Sequence, residues 1–76
     1  MITIYGKPNC SYCVQAKELL DAKRIPYEYV DVTQDVFSYR KLVYSGFRTV
    51  PQCYEGERHI GGFTDLQQYV INERMP

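Results

Sequence analysis

Met1-Ile2-Thr3-Ile4-Tyr5-Gly6-Lys7-Pro8-Asn9-Cys10-Ser11-Tyr12-Cys13-Val14-Gln15-Ala16-Lys17-Glu18-Leu19-Leu20 opens the chain and passes from a strand pattern to a helix pattern. Ile2, Ile4 and Tyr5 make a short β-prone run that ends at Gly6 and Pro8, where strand pairing is hard to continue. Over residues 10–23 the chain turns to good helix formers, and Cys13, Ala16, Leu19 and Leu20 fall at spacings that share one face. Pro26 stops that helix. Ile25, Tyr27, Tyr29, Val30 and Val32 then make a second β-prone run. Strand, helix and strand form a βαβ unit, whose two strands lie parallel because a crossover helix returns the chain in the same direction, with a right-handed connection.

Outward from this unit the pattern continues without repeat, low-complexity segment or linker. Thr33 or Asp35 can cap a second helix that runs through Phe37, Tyr39, Leu42 and Val43 and stops at Ser45-Gly46, a glycine placed for a left-handed residue. Residues 50–54 and 58–60 are short β-prone runs around Glu55-Gly56-Glu57, close enough for an antiparallel hairpin that Gly61-Gly62 ends. Thr64-Asp65-Leu66-Gln67 has the Thr-x-x-Gln form of a capping box, with Leu66, Tyr69 and Val70 following at helical spacing. The order βαβαββα predicts one α/β domain over residues 1–76.

Size and charge narrow the function. With 76 residues, 45% hydrophobic and 24% charged, the chain is ordinary globular material near the lower size limit for folding without staples. Nine Lys and Arg balance nine Asp and Glu, so no bulk field concentrates nucleic acid or an anionic membrane surface. No basic stretch followed by a secretory-length apolar run opens the sequence, and no transmembrane-length run occurs; a cytoplasmic protein is expected. Three cysteines, an odd number with two close together, argue against a secreted disulfide framework and for chemistry or metal binding.

At the first turn of a helix, Cys10 and Cys13 lie one turn apart, within the range a disulfide accepts. The free amides and positive dipole end stabilise a thiolate, so Cys10, nearer the terminus, should have its pKa lowered from about 8.5. Cys10 is then the nucleophile and a good leaving group; Cys13, less exposed, resolves a mixed disulfide formed on Cys10. The competing reading is half of a zinc site completed by Cys53 and His59, but structural zinc usually replaces a core that this chain can build.

With Lys7 three residues before Cys10, the Cys10-Ser11-Tyr12-Cys13 motif, Thr49-Val50-Pro51, and Gly61-Gly62 followed by Asp65, nearly the whole chain resembles the glutaredoxins. The resemblance implies a thioredoxin-like fold, a four-stranded mixed sheet with the first and third helices on one face and the second on the other. It also implies a glutathione site. The proline matching Pro51 is cis in the family, and Val50 would pair with the cysteinyl part of glutathione like a strand. Thr49 belongs to the same segment. Gly62 would admit the ligand closely, and the amides of Thr64 and Asp65 suit the γ-glutamyl carboxylate. The Asp65 side chain could pair with the adjacent ammonium, although a favourable charge in a helix's first turn explains that residue equally well. Lys7 would reach the glycyl carboxylate, with Arg40 or Arg48 as helpers, and Tyr12 would border the groove. Cys53, where the family places an aliphatic residue, reads as a buried inert thiol, and His59 as a surface or satisfied residue.

Ser11 departs from the resemblance, since the usual motif has proline there; serine brings an amide and a hydroxyl near the sulfurs. Family members with serine at this position include some that hold a [2Fe–2S] cluster between two subunits, so a cluster-binding dimer is one alternative. Another is a thioredoxin-like redoxin reduced by thioredoxin reductase and donating electrons to ribonucleotide reductase. The principal expectation is a monomer that uses glutathione to reduce disulfide-containing or glutathionylated proteins.

Overall fold

Alternation in the first strand sets the two faces of the sheet. In a computed structural model, which describes residues 1–74, β1 (Ile2–Gly6) buries Ile2, Ile4 and Gly6 on one face and turns Thr3 and Tyr5 to the other. β1 is central. It runs parallel to β2 (Tyr27–Asp31), with Ile4 opposite Tyr29, and antiparallel to β3 (Gln52–Glu55), with Ile4 opposite Cys53. β4 (Arg58–Gly61) pairs antiparallel with β3, giving the order β2-β1-β3-β4. α1 (Ser11–Ala22) crosses from β1 to β2, α2 (Val36–Tyr44) leads toward β3, and α3 (Phe63–Tyr69) runs into a π-helical turn, Val70–Arg74. This is the thioredoxin-like arrangement expected.

The core lies on the face of Ile2 and Ile4. Ala16 and Leu20 of α1, Cys53 of β3, Leu66 of α3 and Val70 close over them, each no more than 1% exposed. Two helices therefore share one aliphatic layer, and α1 is held by the same residues that its sequence spacing placed on one face. On the opposite face the rings of Tyr5 and Tyr54 meet edge to face, with centroids 5.5 Å apart. Lys41 of α2 reaches over them, its Nζ 4.6 Å from the Tyr54 centroid and donating to the Tyr5 hydroxyl at 3.3 Å. That contact and the buried Leu42 fix α2 on this second face, while Phe37 and Tyr44 remain in solvent.

Helix ends follow local chemistry, with one correction. Asp35 caps α2, its Oδ1 accepting the amides of Phe37 at 3.1 Å and Ser38 at 3.3 Å. Thr33 cannot compete, because its amide and hydroxyl both donate to Asp31. Gly46 follows the helix at φ +86. The capping box read at Thr64 and Gln67 is not formed: Gly62 is the N-cap of α3, and Asp65 Oδ2 accepts the Gly62 amide at 3.1 Å. Two overlapping capping patterns occur here, and the strand end at Gly61 selects the earlier one.

Candidate active site

Cys10 sits at the junction where β1 has ended and α1 has not begun. Its backbone is extended (φ −117, ψ 107), and as N-cap its sulfur accepts the Cys13 amide at 3.2 Å. The two cysteines are joined as a disulfide, with Cα atoms 5.2 Å apart. They differ in access. Cys10 is half-buried, whereas Cys13 is 1% exposed. A [2Fe–2S] cluster does not fit this oxidised form, since Cys10 is covalently engaged and has no thiolate to offer.

Two further residues shape the pair that the sequence reading had not singled out. A Cβ at Gly6 would collide with the Tyr29 hydroxyl and stand 3.0 Å from Cys13 Sγ, so only glycine leaves room for both. The Tyr29 hydroxyl donates to the Lys7 carbonyl at 3.4 Å, tying β2 to the loop before Cys10. Burial first, and the Asp31 carboxylate second, push the Tyr29 phenol above its ordinary value. Register, not composition, puts Tyr29 there, because it is the partner of Ile4 across a parallel pair.

Of the other residues singled out in the sequence, Val50 meets Cys10 directly. The Val50 carbonyl lies 3.8 Å from Cys10 Sγ, and the Val50–Pro51 peptide is cis. Gly62 is beside the same turn, where a Cβ would stand 3.7 Å from the Pro51 carbonyl. Thr49 accepts from the Gln52 amide group at 2.9 Å through its carbonyl and at 3.3 Å through its hydroxyl. On the far side, the Tyr12 ring leans on Phe63 with centroids 5.9 Å apart, joining the start of α1 to the start of α3. Thr64 and Asp65 are exposed in the first turn of α3. Lys7, Thr49 and Val50 line a cleft of about 760 Å³ together with Arg48; Arg40 is not part of its lining.

The glutaredoxin family profile matches residues 2–60. The chain belongs to the glutaredoxin family. It is 41% identical over 76 residues to a glutaredoxin of Vibrio cholerae, covering 90% of this chain and 87% of that one. It is also 40% identical over 68 residues to a hybrid peroxiredoxin of Haemophilus influenzae, where 90% of this chain spans only 28% of the relative. Among solved structures, reduced Escherichia coli glutaredoxin superposes with a TM-score of 0.78 at 32% identity, covering 99% and 98% of the two chains. A buckwheat glutaredoxin–glutathione complex gives 0.78 at 27% identity over 97% of this chain and 71% of that one. The glutaredoxin-like NrdH-redoxin of E. coli, described as thioredoxin-like in activity, gives 0.79 at 25% identity over 88% and 91%.

Within this glutaredoxin the remaining cysteine and the lone histidine stand apart from the site. Cys53 is fully buried on the Ile4 face, and burial, reinforced by the Asp65 carboxylate, pushes its thiol from 9.0 up to about 12. His59 is exposed on the opposite face, its Nε2 2.8 Å from Gln52 Oε1 and its ring stacked on Phe47 at 4.3 Å. With Cys53 and His59 on opposite faces, the zinc reading of Cys10, Cys13, Cys53 and His59 is excluded.

Cys53 carries a pH prediction. A thiol whose folded pKa is raised keeps its contribution below the unfolded value, near 9, and loses it progressively as pH rises toward about 12. Stability should therefore fall across this window by about 1.4 kcal/mol per pH unit from this group. Tyr27 and Tyr29, also raised, add to the loss, so Cys53→Ala flattens the profile without abolishing it. Denaturant unfolding at pH 8, 9 and 10 checks this; equal slopes for the two proteins would remove Cys53 from the account. At pH 8 a thiol reagent added to the oxidised native protein should find no reactive thiol, and one after unfolding.

Proposed function

We propose that this glutaredoxin is a glutathione-dependent thiol–disulfide oxidoreductase acting on protein disulfides and glutathione mixed disulfides. The observation that carries the reading is Cys10 at the N-cap of α1, bonded to a buried Cys13 and 3.8 Å from the Val50 carbonyl. In the reduced protein the Cys10 thiolate attacks a client disulfide, forming a mixed disulfide on Cys10 and expelling one client thiolate, which takes a proton from solvent. Cys13 attacks the Cys10 sulfur, releases the second client thiol and leaves the Cys10–Cys13 disulfide. One glutathione thiolate then attacks Cys10 and frees Cys13; a second attacks the glutathionyl sulfur and frees Cys10. Two glutathiones leave as glutathione disulfide, so two electrons enter and two leave.

The Cys13 amide at 3.2 Å and the helix N-terminus stabilise the thiolate each time Cys10 is attacking or leaving. Glutathione lies along Val50 in this reading, with its γ-glutamyl end at Gly62, Thr64 and Asp65, its glycyl end at Lys7, and Thr49, Pro51 and Tyr12 as walls. Asp65 thereby serves twice, because its carboxylate also caps α3 through the Gly62 amide. The protein works as a cytoplasmic monomer, with glutathionylated or disulfide-containing proteins, ribonucleotide reductase among the candidates, as clients.

The test is turnover of a small glutathione mixed disulfide with glutathione, glutathione reductase and NADPH. Turnover is expected. Its absence, with reduction by thioredoxin reductase in its place, would give the protein the thioredoxin-like profile ascribed to the NrdH-redoxin neighbour. A narrower expectation concerns Gly61, whose φ of +129 favours glycine and where a Cβ would collide with the Asp65 carboxylate. Gly61→Ala should cost about 1–3 kcal/mol of stability. By moving Asp65 it should also raise KM for the mixed disulfide about tenfold, with a smaller change in kcat. An unchanged KM in a folded variant would detach Asp65 from binding.

A further inference from the structure

The cleft beside Val50 is lined by neither Gly62 nor Asp65, the residues given above to the γ-glutamyl end of glutathione. Val50, Lys7, Arg48 and Phe47 share it with Tyr39 and Val43 of α2. Tyr39 and Val43 are 54% and 51% exposed and, with Phe47, make part of the cleft lining apolar. Lys7 and Arg48 line the same cleft, no carboxylate lines it, and neither cation has an ion-pair partner among the described residues. The lining thus combines a backbone edge at Val50, which meets Cys10, with two unneutralised cations and an apolar patch, and back along the chain from Val50 come Arg48 and then Phe47.

We infer that this cleft selects protein clients, taking an extended client segment in which a half-cystine is followed by an acidic and then a large apolar residue. The inference rests on the exchange chemistry proposed above and adds to it a substrate class. The client backbone lies along Val50, its carboxylate meets Lys7 and Arg48, and its apolar side chain covers Tyr39 and Val43. Tyrosine suits this position because it offers a large rigid contact at small entropic cost. The sulfur chemistry is unchanged: the client half-cystine is the atom Cys10 attacks. Glutathione mixed disulfides, which end at the glycyl carboxylate, do not reach Tyr39, so the two substrate classes separate at that residue.

The experiment uses three synthetic peptides, each with one intramolecular disulfide followed by Asp-Leu-Phe, Lys-Leu-Phe or Asp-Ser-Ser. Reduction is followed with glutathione, glutathione reductase and NADPH. The first peptide should exceed the other two in kcat/KM by about tenfold, and its advantage over the lysine peptide should shrink as salt is raised. The double variant Tyr39→Ser, Val43→Ser alters only exposed side chains; it should lose that preference and keep wild-type turnover of the small mixed disulfide. Binding of cysteine-free versions of the peptides to the oxidised protein, by fluorescence anisotropy, needs no glutathione. It should rank them in the same order even if glutathione proves not to be the reductant. Equal kcat/KM and equal binding for the three peptides would overturn the inference. So would a dimer in sedimentation that the double variant dissolves, which would give the patch to a second copy of the chain.

Discussion

Cys10→Ser is expected to lower turnover of both substrate classes by more than about 1,000-fold, since the attacking atom is removed and nothing else in the site can replace it. Cys13→Ser should behave differently. With a glutathione mixed disulfide, glutathione itself can discharge the glutathionylated Cys10, so turnover persists within about a factor of ten. With a protein disulfide the resolving step is lost, and the variant should accumulate as a covalent adduct with its client through Cys10. The asymmetry comes from the geometry: Cys10 is the accessible cap of α1, and Cys13 is 1% exposed beneath it. Steady-state rates together with non-reducing electrophoresis or mass spectrometry read both halves. Equal loss in the two variants would mean that the thiols act only as a pair, and the monothiol route would have to be abandoned.

Leu20→Ala should be the most damaging single truncation of the hydrophobic core, costing about 2–5 kcal/mol. Leu20 is fully buried between α1 and the sheet, against Ile2, Ile4, Leu66 and Val70. A domain this small commands a total stability toward the lower end of about 5–15 kcal/mol, so the variant stands close to unfolding at body temperature. A fall of about 10 °C or more in Tm is expected, because 1 kcal/mol shifts a domain of this size by about 4–8 °C. Val14→Ala, on the exposed face of the same helix, should change stability by less than about 0.5 kcal/mol. Thermal unfolding of both variants separates burial from helix propensity; similar losses would show that α1 is not held by its inner face.

The β-prone run of Ile2, Ile4 and Tyr5 and the helical spacing of Cys13, Ala16, Leu19 and Leu20 were sufficient for the first strand and helix, because helical spacing reports burial directly: Ile2, Ile4, Ala16 and Leu20 form the core, Cys13 is buried and Leu19 packs at its edge. The Cys10-to-Cys13 pair was legible for a similar reason: its roles depend on one helical turn and one helix terminus. Cap positions were less legible. Thr33 and Asp35 are both good caps in isolation, and only the Asp31 carboxylate, which takes Thr33 into a turn, decides between them. At α3 the same ambiguity led to Thr64, whereas the strand end and the Asp65 carboxylate select Gly62. What the sequence could not reveal is whatever register and long-range packing create. Tyr29 beside Gly6 and Cys13, His59 between Phe47 and Tyr54, and the cleft from Val50 to Tyr39 each join segments that no local pattern connects.

The central place of β1 has a consequence for the order of events at the ribosome. Its parallel partner β2 is complete by Asp31, so β1, α1 and β2 can associate while the rest of the chain is still being made. The antiparallel partner β3 begins only at Gln52, and α3 at Phe63. For that interval the nascent chain presents both sulfurs of the reactive pair without Val50, Gly62 or Asp65 beside them. Both cysteines are therefore in the emerging polypeptide well before Val50, which closes on Cys10 from 40 residues further along the chain.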